Sequence, residues 1–282
     1  MATAFVLAGG GSHGAIEVGM LRGLLEHGER PDFVVGASAG AINGACFAAD
    51  PTLAGVARLE AIWCALRREH IFPLGWRSLL AFALRRDYLV DSHGLRRLLE
   101  THLTYRRLEH ARLPIHVVAT ELLSGDEVLL STGPAIDAIL ASAAIPGVYP
   151  SVSIGGRELI DGGVTNNTPI SAAVGLGATR ILVLPTGFAC ALKRAPTTAI
   201  GKALQSLNLL IARQLVNDVA RYRNRVALHV VPPLCPLDVS PYDYDGSAAL
   251  IAQSAQSTRD WIAAGGLSAA SPATGPLAEH SH

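Results

Sequence analysis

The tightest constraint in this sequence is a pair of glycine-rich turns near its start. Ala4–Leu7 leads into Gly9-Gly10-Gly11-Ser12-His13-Gly14, and Phe33–Val35 leads into Gly36-Ala37-Ser38-Ala39-Gly40. Apolar runs that short, closed by glycine, read as buried strands. The segments that follow read as helices: Ala15–His27, with Ile16, Met20, Leu21, Leu24 and Leu25 in phase and a stop at Gly28, and the small-residue stretch Ala39–Ala49. Two strand–turn–helix units in succession call for an α/β fold, and such folds place ligands at the C-terminal ends of parallel strands.

The rest of the chain keeps the alternation. Further strands are expected at Ile115–Thr120, Glu127–Ser131, Arg180–Pro185 and Ala227–Val231, with a hairpin over Ser153–Ile160 that turns at Gly155-Gly156. Helices are expected at Leu53–Arg68, Ser92–His102, Ile136–Ala143, Ile170–Leu176, Ala199–Asn224 and Ser247–Ala264. No linker or internal repeat divides the chain. The reading is one α/β domain over residues 1–264, built on a mostly parallel central sheet flanked by helices. An Ala/Ser/Pro/Gly-rich tail, 265–282, is expected to fray. The stretch Trp63–Val90 is the least regular. It mixes Trp63, Ile71, Phe72, Trp76 and Phe82 with Arg67, Arg68, Arg77, Arg85 and Arg86, so helices packed on the core compete with an amphipathic flap over a lipid site.

Composition narrows the function classes. Half of the residues are hydrophobic and 16% are charged, which suits a buried core and excludes a disordered chain. Lys+Arg and Asp+Glu are equal at 23 each, so charge gives no case for a nucleic-acid partner. Cys46, Cys64, Cys190 and Cys235 are scattered without a CxxC pair. That spacing argues against a zinc site and a dense disulfide framework, and free thiols in a reducing compartment are expected. The apolar start lacks a basic n-region and no apolar run reaches 18 residues. Neither a signal peptide nor a transmembrane helix is read, and the expected location is cytoplasmic.

The two glycine turns carry the chemistry. Gly9–Gly14 fits G-x-G-x-x-G, but a dinucleotide site needs an acidic residue at the end of the second strand. Asp32 precedes that strand, which ends in Gly36-Ala37-Ser38. No Gly-Lys-Ser/Thr follows, so a P-loop is excluded. An oxyanion hole of backbone N–H groups fits, and so does a tight turn without a ligand. Gly36–Gly40 is a G-x-S-x-G between strand and helix, the context of a nucleophile elbow that exposes Ser38. Such a serine needs a base. Of ten histidines, His27, His93, His102 and His110 lie in or beside expected helices, and His280 and His282 lie in the tail. His116 and His229 lie within expected strands, and His13 lies in the glycine loop. A conventional Ser–His–Asp esterase would draw on a residue such as His229, yet none sits in a late strand-end loop. Asp161, in Ile160-Asp161-Gly162-Gly163-Val164, is the alternative base, and a plain Asp-Gly turn competes with that reading.

Four pieces in order then carry a resemblance: the Gly9–Gly14 loop, the Gly36–Gly40 elbow, Ala141-Ser142-Ala143-Ala144-Ile145-Pro146-Gly147, and Asp161-Gly162-Gly163 followed by Asn166-Asn167-Thr168-Pro169. Over most of residues 5–170 the chain resembles compact bacterial members of the patatin-like phospholipase family. The resemblance implies a three-layer α/β/α fold and a serine acyl hydrolase that cleaves carboxyl esters of lipids, phospholipids or lysophospholipids. It implies a Ser38–Asp161 dyad without a catalytic histidine. Gly9, Gly10 and Gly11 would form the oxyanion hole, and His13 and Ala39 would line the site. No metal or organic cofactor is called for, and peripheral membrane contact is expected. Some members act only with a partner, so an activator-dependent or non-catalytic protein on this fold is the alternative, with a reductase using Gly9–Gly14 behind it. One departure is His13, where the family usually carries Arg or Lys; a neutral imidazole supplies less positive charge near an anion.

Overall fold

One sheet of eight strands organises the chain. The computed structural model describes residues 2–71, 88–187, 197, 199–235 and 244–268. The strands are β1 (Thr3–Leu7), β2 (Phe33–Ala37), β3 (Ile115–Glu121), β4 (Glu127–Leu130), β5 (Val152–Ile154), β6 (Arg157–Asp161), β7 (Arg180–Leu184) and β8 (Ala227–Val230). Their order is β5-β6-β3-β2-β1-β7-β8, with β4 also paired to β3. The run β3-β2-β1-β7-β8 is parallel, while β4, β5 and β6 join by antiparallel pairing. The mostly parallel sheet read from the sequence is therefore present, with an antiparallel side that starts at β3.

The period-two alternation of strands splits the core in two. Phe5 and Leu7 of β1 point to one face and Ala4 and Val6 to the other, all without solvent exposure. Helices α1 (Gly14–Glu26), α2 (Ala39–Ala49) and α3 (Leu53–Ala65) cover the first face, followed after the short α4 (Arg68–Ile71) by α5 (His93–His102) and α6 (Ala135–Ser142). The short α7 (Gly163–Asn166) leads to α8 (Ile170–Gly175), which covers the second face together with α9 (Ala199–Tyr222). The last helix, α10 (Ser247–Ala263), returns to the first face and packs on α1. The layers are thus helix, sheet and helix.

Several boundaries move. The helix expected over Leu53–Arg68 stops at Ala65, because Leu66 takes an extended conformation (φ −66°, ψ 139°) and turns the chain into α4. The hairpin turn is as read: Gly155 and Gly156 both have positive φ, 60° and 77°, the mirror-image turn that glycine makes without strain. The free-thiol expectation holds at Cys46 and Cys64 and fails at Cys235, which is disulfide-bonded. Spacing along the chain does not report which thiols meet in space. Cys190 lies outside the described residues, as do 72–87 of the flap segment and 269–282 of the expected tail. Of the flap segment's described part, Trp63, Leu66 and Ile71 are buried in the first core layer, where the core-packing reading puts them. Among the described residues no helix is long and apolar enough to cross a membrane.

A close approach of helix to sheet lies at Gly40, in the first turn of α2. A Cβ there would fall on the carbonyl oxygen of Leu7, the last residue of β1. Gly40→Ala is expected to destabilise the protein by about 2 kcal/mol, since a backbone atom cannot yield as a side chain can. A denaturant midpoint beside that of Ala41→Gly, where no such clash arises, measures the difference.

Candidate active site

The register of β3 brings the sequence motifs together. β2 pairs with Ile115–Val118 and β4 with Val117–Thr120; they overlap at Val117 and Val118 and so occupy opposite edges of β3. β6 pairs with Ala119–Glu121 and overlaps β4, which puts β6 on the same edge as β2. β2 ends at Ala37, opposite Val118, and β6 ends at Asp161, opposite Ala119. Two strands running in opposite directions thus meet end to end along one edge of β3. Ser38 and Asp161 are the residues at that junction, 123 positions apart in the chain, and Ser38 Oγ donates to Asp161 Oδ2 at 2.7 Å.

Ser38 sits on a strained elbow. Its φ is 52° and its ψ −120°, and among the described residues it is the only non-glycine with positive φ. Such a conformation costs about 1–3 kcal/mol and persists only where the surroundings over-determine it. Here Ser142 supplies the restraint. Its Oγ accepts the Ser38 N–H at 2.9 Å and donates to the Val118 carbonyl at 2.6 Å, with the side chain fully buried. The same segment holds Asp161: its N–H donates to the Ala144 carbonyl and the Gly162 N–H to the Ser142 carbonyl. The Ala141–Gly147 motif is therefore the clamp across Ser38 and Asp161, a role that its sequence did not declare.

Asp161 is 6% exposed. Burial pushes its carboxyl up to about 6, against the opposing pull of the Ser38 hydroxyl and the Gly163 N–H, which donates to Oδ1 at 2.7 Å. A carboxylate held there is a stronger base than a solvated one and is still ionised at neutral pH.

The glycine loop passes beside Ser38. A Cβ at Gly9 would lie 3.0 Å from Ser38 Cβ and on Asn167 Oδ1, so only glycine fits. The Gly9 carbonyl accepts from Asn167 Nδ2 (3.1 Å) and Thr186 Oγ1 (2.7 Å), and the Gly9 N–H donates to the Asn167 carbonyl (3.0 Å). Of the three candidate donors, Gly9 is thus committed to anchoring the loop. The N–H groups of Gly10 and Gly11 have no acceptor among the described residues. The trans peptide turns the Gly10 N–H away from the side that Asn167 and Thr186 occupy.

From Ser38 and Gly11 a cavity opens between α2, α3 and α5. Its walls are almost wholly apolar: Ala39, Ile42, Leu59, Ile62, Trp63, Leu66, Leu95, Leu99 and Ile145 among them. Ala39 is among its lining residues and His13 is not. One wall is fixed by a buried polar relay that carries no local signature in the chain. Trp63 Nε1 donates to Asn43 Oδ1 (2.8 Å), and Asn43 Nδ2 donates to the Gly14 carbonyl (2.8 Å) and to Glu17 Oε2 (2.7 Å). Burial raises the Glu17 carboxyl well above its ordinary value, and its Oε1 has no partner among the described residues.

The remaining candidates lie elsewhere. His229 on β8 sits near Arg180, Glu29 and the Gly266 backbone, away from Ser38. His116 Nδ1 is 2.7 Å from Ser131 Oγ. Asp32 accepts the Thr3 N–H at 2.6 Å at the starts of β1 and β2, the opposite end of the strands from the glycine loop, where no ribose on that loop would meet it. Among the described residues no group of three His, Cys, Asp or Glu side chains could hold a metal ion.

The sequence model of the patatin-like phospholipase family matches residues 5–174, which contain every one of these motifs. The chain belongs to the patatin-like phospholipase family. Two relatives of this patatin-like chain show its range. An uncharacterized NTE family protein of Mycobacterium tuberculosis is 35% identical over 167 residues, 58% of this chain and 27% of that protein. Patatin-like phospholipase domain-containing protein 7 of Mus musculus is 28% identical over 192 residues, 66% of this chain and 14% of that protein. The chain therefore spans about a quarter or less of these two relatives' lengths. Among solved structures, VipD from Legionella pneumophila superposes with a TM-score of 0.50 at 14% identity, covering 94% of this chain and 66% of that one, a likeness of fold.

The clamp has a measurable consequence. Ser142→Ala leaves the Ser38 N–H and the Val118 carbonyl buried without partners. It is expected to lower stability by about 2–4 kcal/mol, read as a shift in denaturant midpoint at unchanged slope, whereas Ser151→Ala on the surface shifts it little.

Proposed function

We propose that this protein is a serine acyl hydrolase acting on carboxyl esters of lipids, with Ser38 as nucleophile, Asp161 as general base and the Gly10 and Gly11 N–H groups as oxyanion donors. The observation that carries the reading is the 2.7 Å Ser38–Asp161 hydrogen bond at the mouth of an apolar cavity. Membership of a phospholipase family supports the substrate class.

In the first half-reaction Ser38 Oγ attacks the ester carbonyl carbon while Asp161 Oδ2 takes the hydroxyl proton. The carbonyl oxygen becomes an oxyanion facing the glycine loop, where each well-placed donor is worth about 3 kcal/mol. The tetrahedral intermediate collapses, the ester C–O bond breaks, and Asp161 returns the proton to the departing alkoxide. Water then attacks the acyl-serine, Asp161 takes its proton, and collapse releases the fatty acid with the proton restored to Ser38. Two features make a lone carboxylate competent. It touches the nucleophile directly, and burial raises its basicity. The cavity takes the acyl chain, since its lining offers almost nothing to a charged head group. The lipid is met at a membrane or micelle surface, from which the chain enters the cavity.

Two measurements test this. Ester turnover is expected to vanish in Ser38→Ala and to fall about 10³-fold in Asp161→Asn; wild-type rates in a folded Asp161→Asn protein refute the dyad. The pH dependence follows from the raised carboxyl. Turnover is expected to climb through about pH 6 and stay level above it, because only ionised Asp161 accepts the proton. The linked stability runs the other way: the native state holds this proton more tightly than the unfolded chain. The corresponding stabilisation is complete below about pH 4 and is lost as pH rises through about 6. Asp161→Asn is therefore expected to unfold later than wild type at pH 8, by at most about 3 kcal/mol, with the gap closing toward pH 4.

A further inference from the structure

The cavity runs along α2. Ser38 caps this helix, and Ile42 and Cys46 follow at four-residue intervals, so all three lie on one stripe of α2 and all three line the cavity. Cys46 stands eight residues beyond Ser38, about 12 Å along the helix. The facing wall comes from α5, whose Leu95, Leu98, Leu99 and His102 recur at helical spacing. The far end is fixed. Tyr105, three residues past His102, donates its hydroxyl to the Ala45 carbonyl at 3.1 Å, which ties the C-terminal end of α5 to α2 beside Cys46. Leu99, 1% exposed, and His102, which is exposed, both line the cavity, so this part of its lining runs from the core to the surface. Burial pushes the Cys46 thiol up to about 12, so it stays neutral and presents an apolar end wall.

We infer that Cys46 of α2 and His102 of α5 form an end stop that sets the length of acyl chain this protein accepts. The inference rests on the acyl-hydrolase reading above and adds the measure of the substrate. An extended chain advances roughly 1.2 Å per backbone bond. A chain esterified at Ser38 therefore reaches Cys46 at about ten carbons. Up to that length each methylene leaves water for an apolar wall, which raises kcat/KM about fourfold per carbon. Past it, a further methylene has to fold back or press on the end wall, and the gain stops.

The experiment is a chain-length series of 4-nitrophenyl esters, from butyrate to palmitate, on wild type, Cys46→Phe and His102→Trp. Each rate is divided by the butyrate rate of the same protein, so that a general loss of activity cancels. The expected wild-type profile rises to about decanoate and then levels or falls. Cys46→Phe moves the break toward hexanoate. His102→Trp, at an exposed position that does not threaten folding, also shortens it. A break at the same carbon number in all three proteins overturns the end stop while leaving the hydrolase intact, as does a wild-type profile that keeps rising to palmitate. Absence of turnover with every ester, butyrate included, overturns the hydrolase reading itself and the end stop with it.

Discussion

A single hydrogen bond, from Ser38 Oγ to Asp161 Oδ2, joins two parts of the chain that share no local structure. Everything around it follows from the need to hold that contact. A parallel strand and an antiparallel one must end against each other on one edge of β3, which is why the sheet changes direction there. The strand ends leave backbone groups unpaired at the junction. The Ala141–Gly147 segment satisfies them, through the Ser142 hydroxyl, the Ser142 carbonyl and the Ala144 carbonyl. The Asn167 amide and Thr186 hydroxyl then fix the glycine loop over the same point.

The arrangement is costly in stability. A positive φ at a non-glycine residue and a buried carboxylate each work against folding by about 1–3 kcal/mol. In the proposed mechanism the same two costs activate the serine: strain exposes the hydroxyl, and desolvation gives the carboxylate its basicity. Five parallel strands buried on both faces, with Phe5, Leu7, Val6 and Leu182 fully enclosed, supply the offset. The geometry is thereby set before substrate arrives, as electrostatic stabilisation of a transition state requires.

How much of this could be read beforehand depended on whether the signal was local. Strand alternation and helix phase are local, so the elements appeared within a few residues of their places, and the Gly155-Gly156 turn was legible from two residues. The glycines of the elbow pointed to Ser38 because a close approach to β1 leaves no other residue that fits at Gly40. Asp161 was ambiguous as a local Asp-Gly turn and acquired weight only from its company in order. What could not be read was pairwise. Nothing in the sequence joins Asn43 to both Glu17 and Trp63, or sets Asn167 against Gly9, because the partners meet through tertiary packing. The disulfide at Cys235 was hidden for the same reason. Gly9 illustrates a subtler limit. The motif offered three equivalent N–H donors, and only the fold reveals that one of them is spent holding the loop.

The central claim is that burial against Asp161 activates Ser38, and covalent labelling tests it without any assumption about the lipid. The purified protein is treated with a fluorophosphonate and digested, and the adduct is located by mass spectrometry, beside Ser38→Ala and Asp161→Asn. The account predicts an adduct on Ser38 that forms more slowly below about pH 6, is absent from Ser38→Ala and is strongly slowed in Asp161→Asn. A folded protein that takes no label, or an Asp161→Asn protein that labels at the wild-type rate, would contradict it.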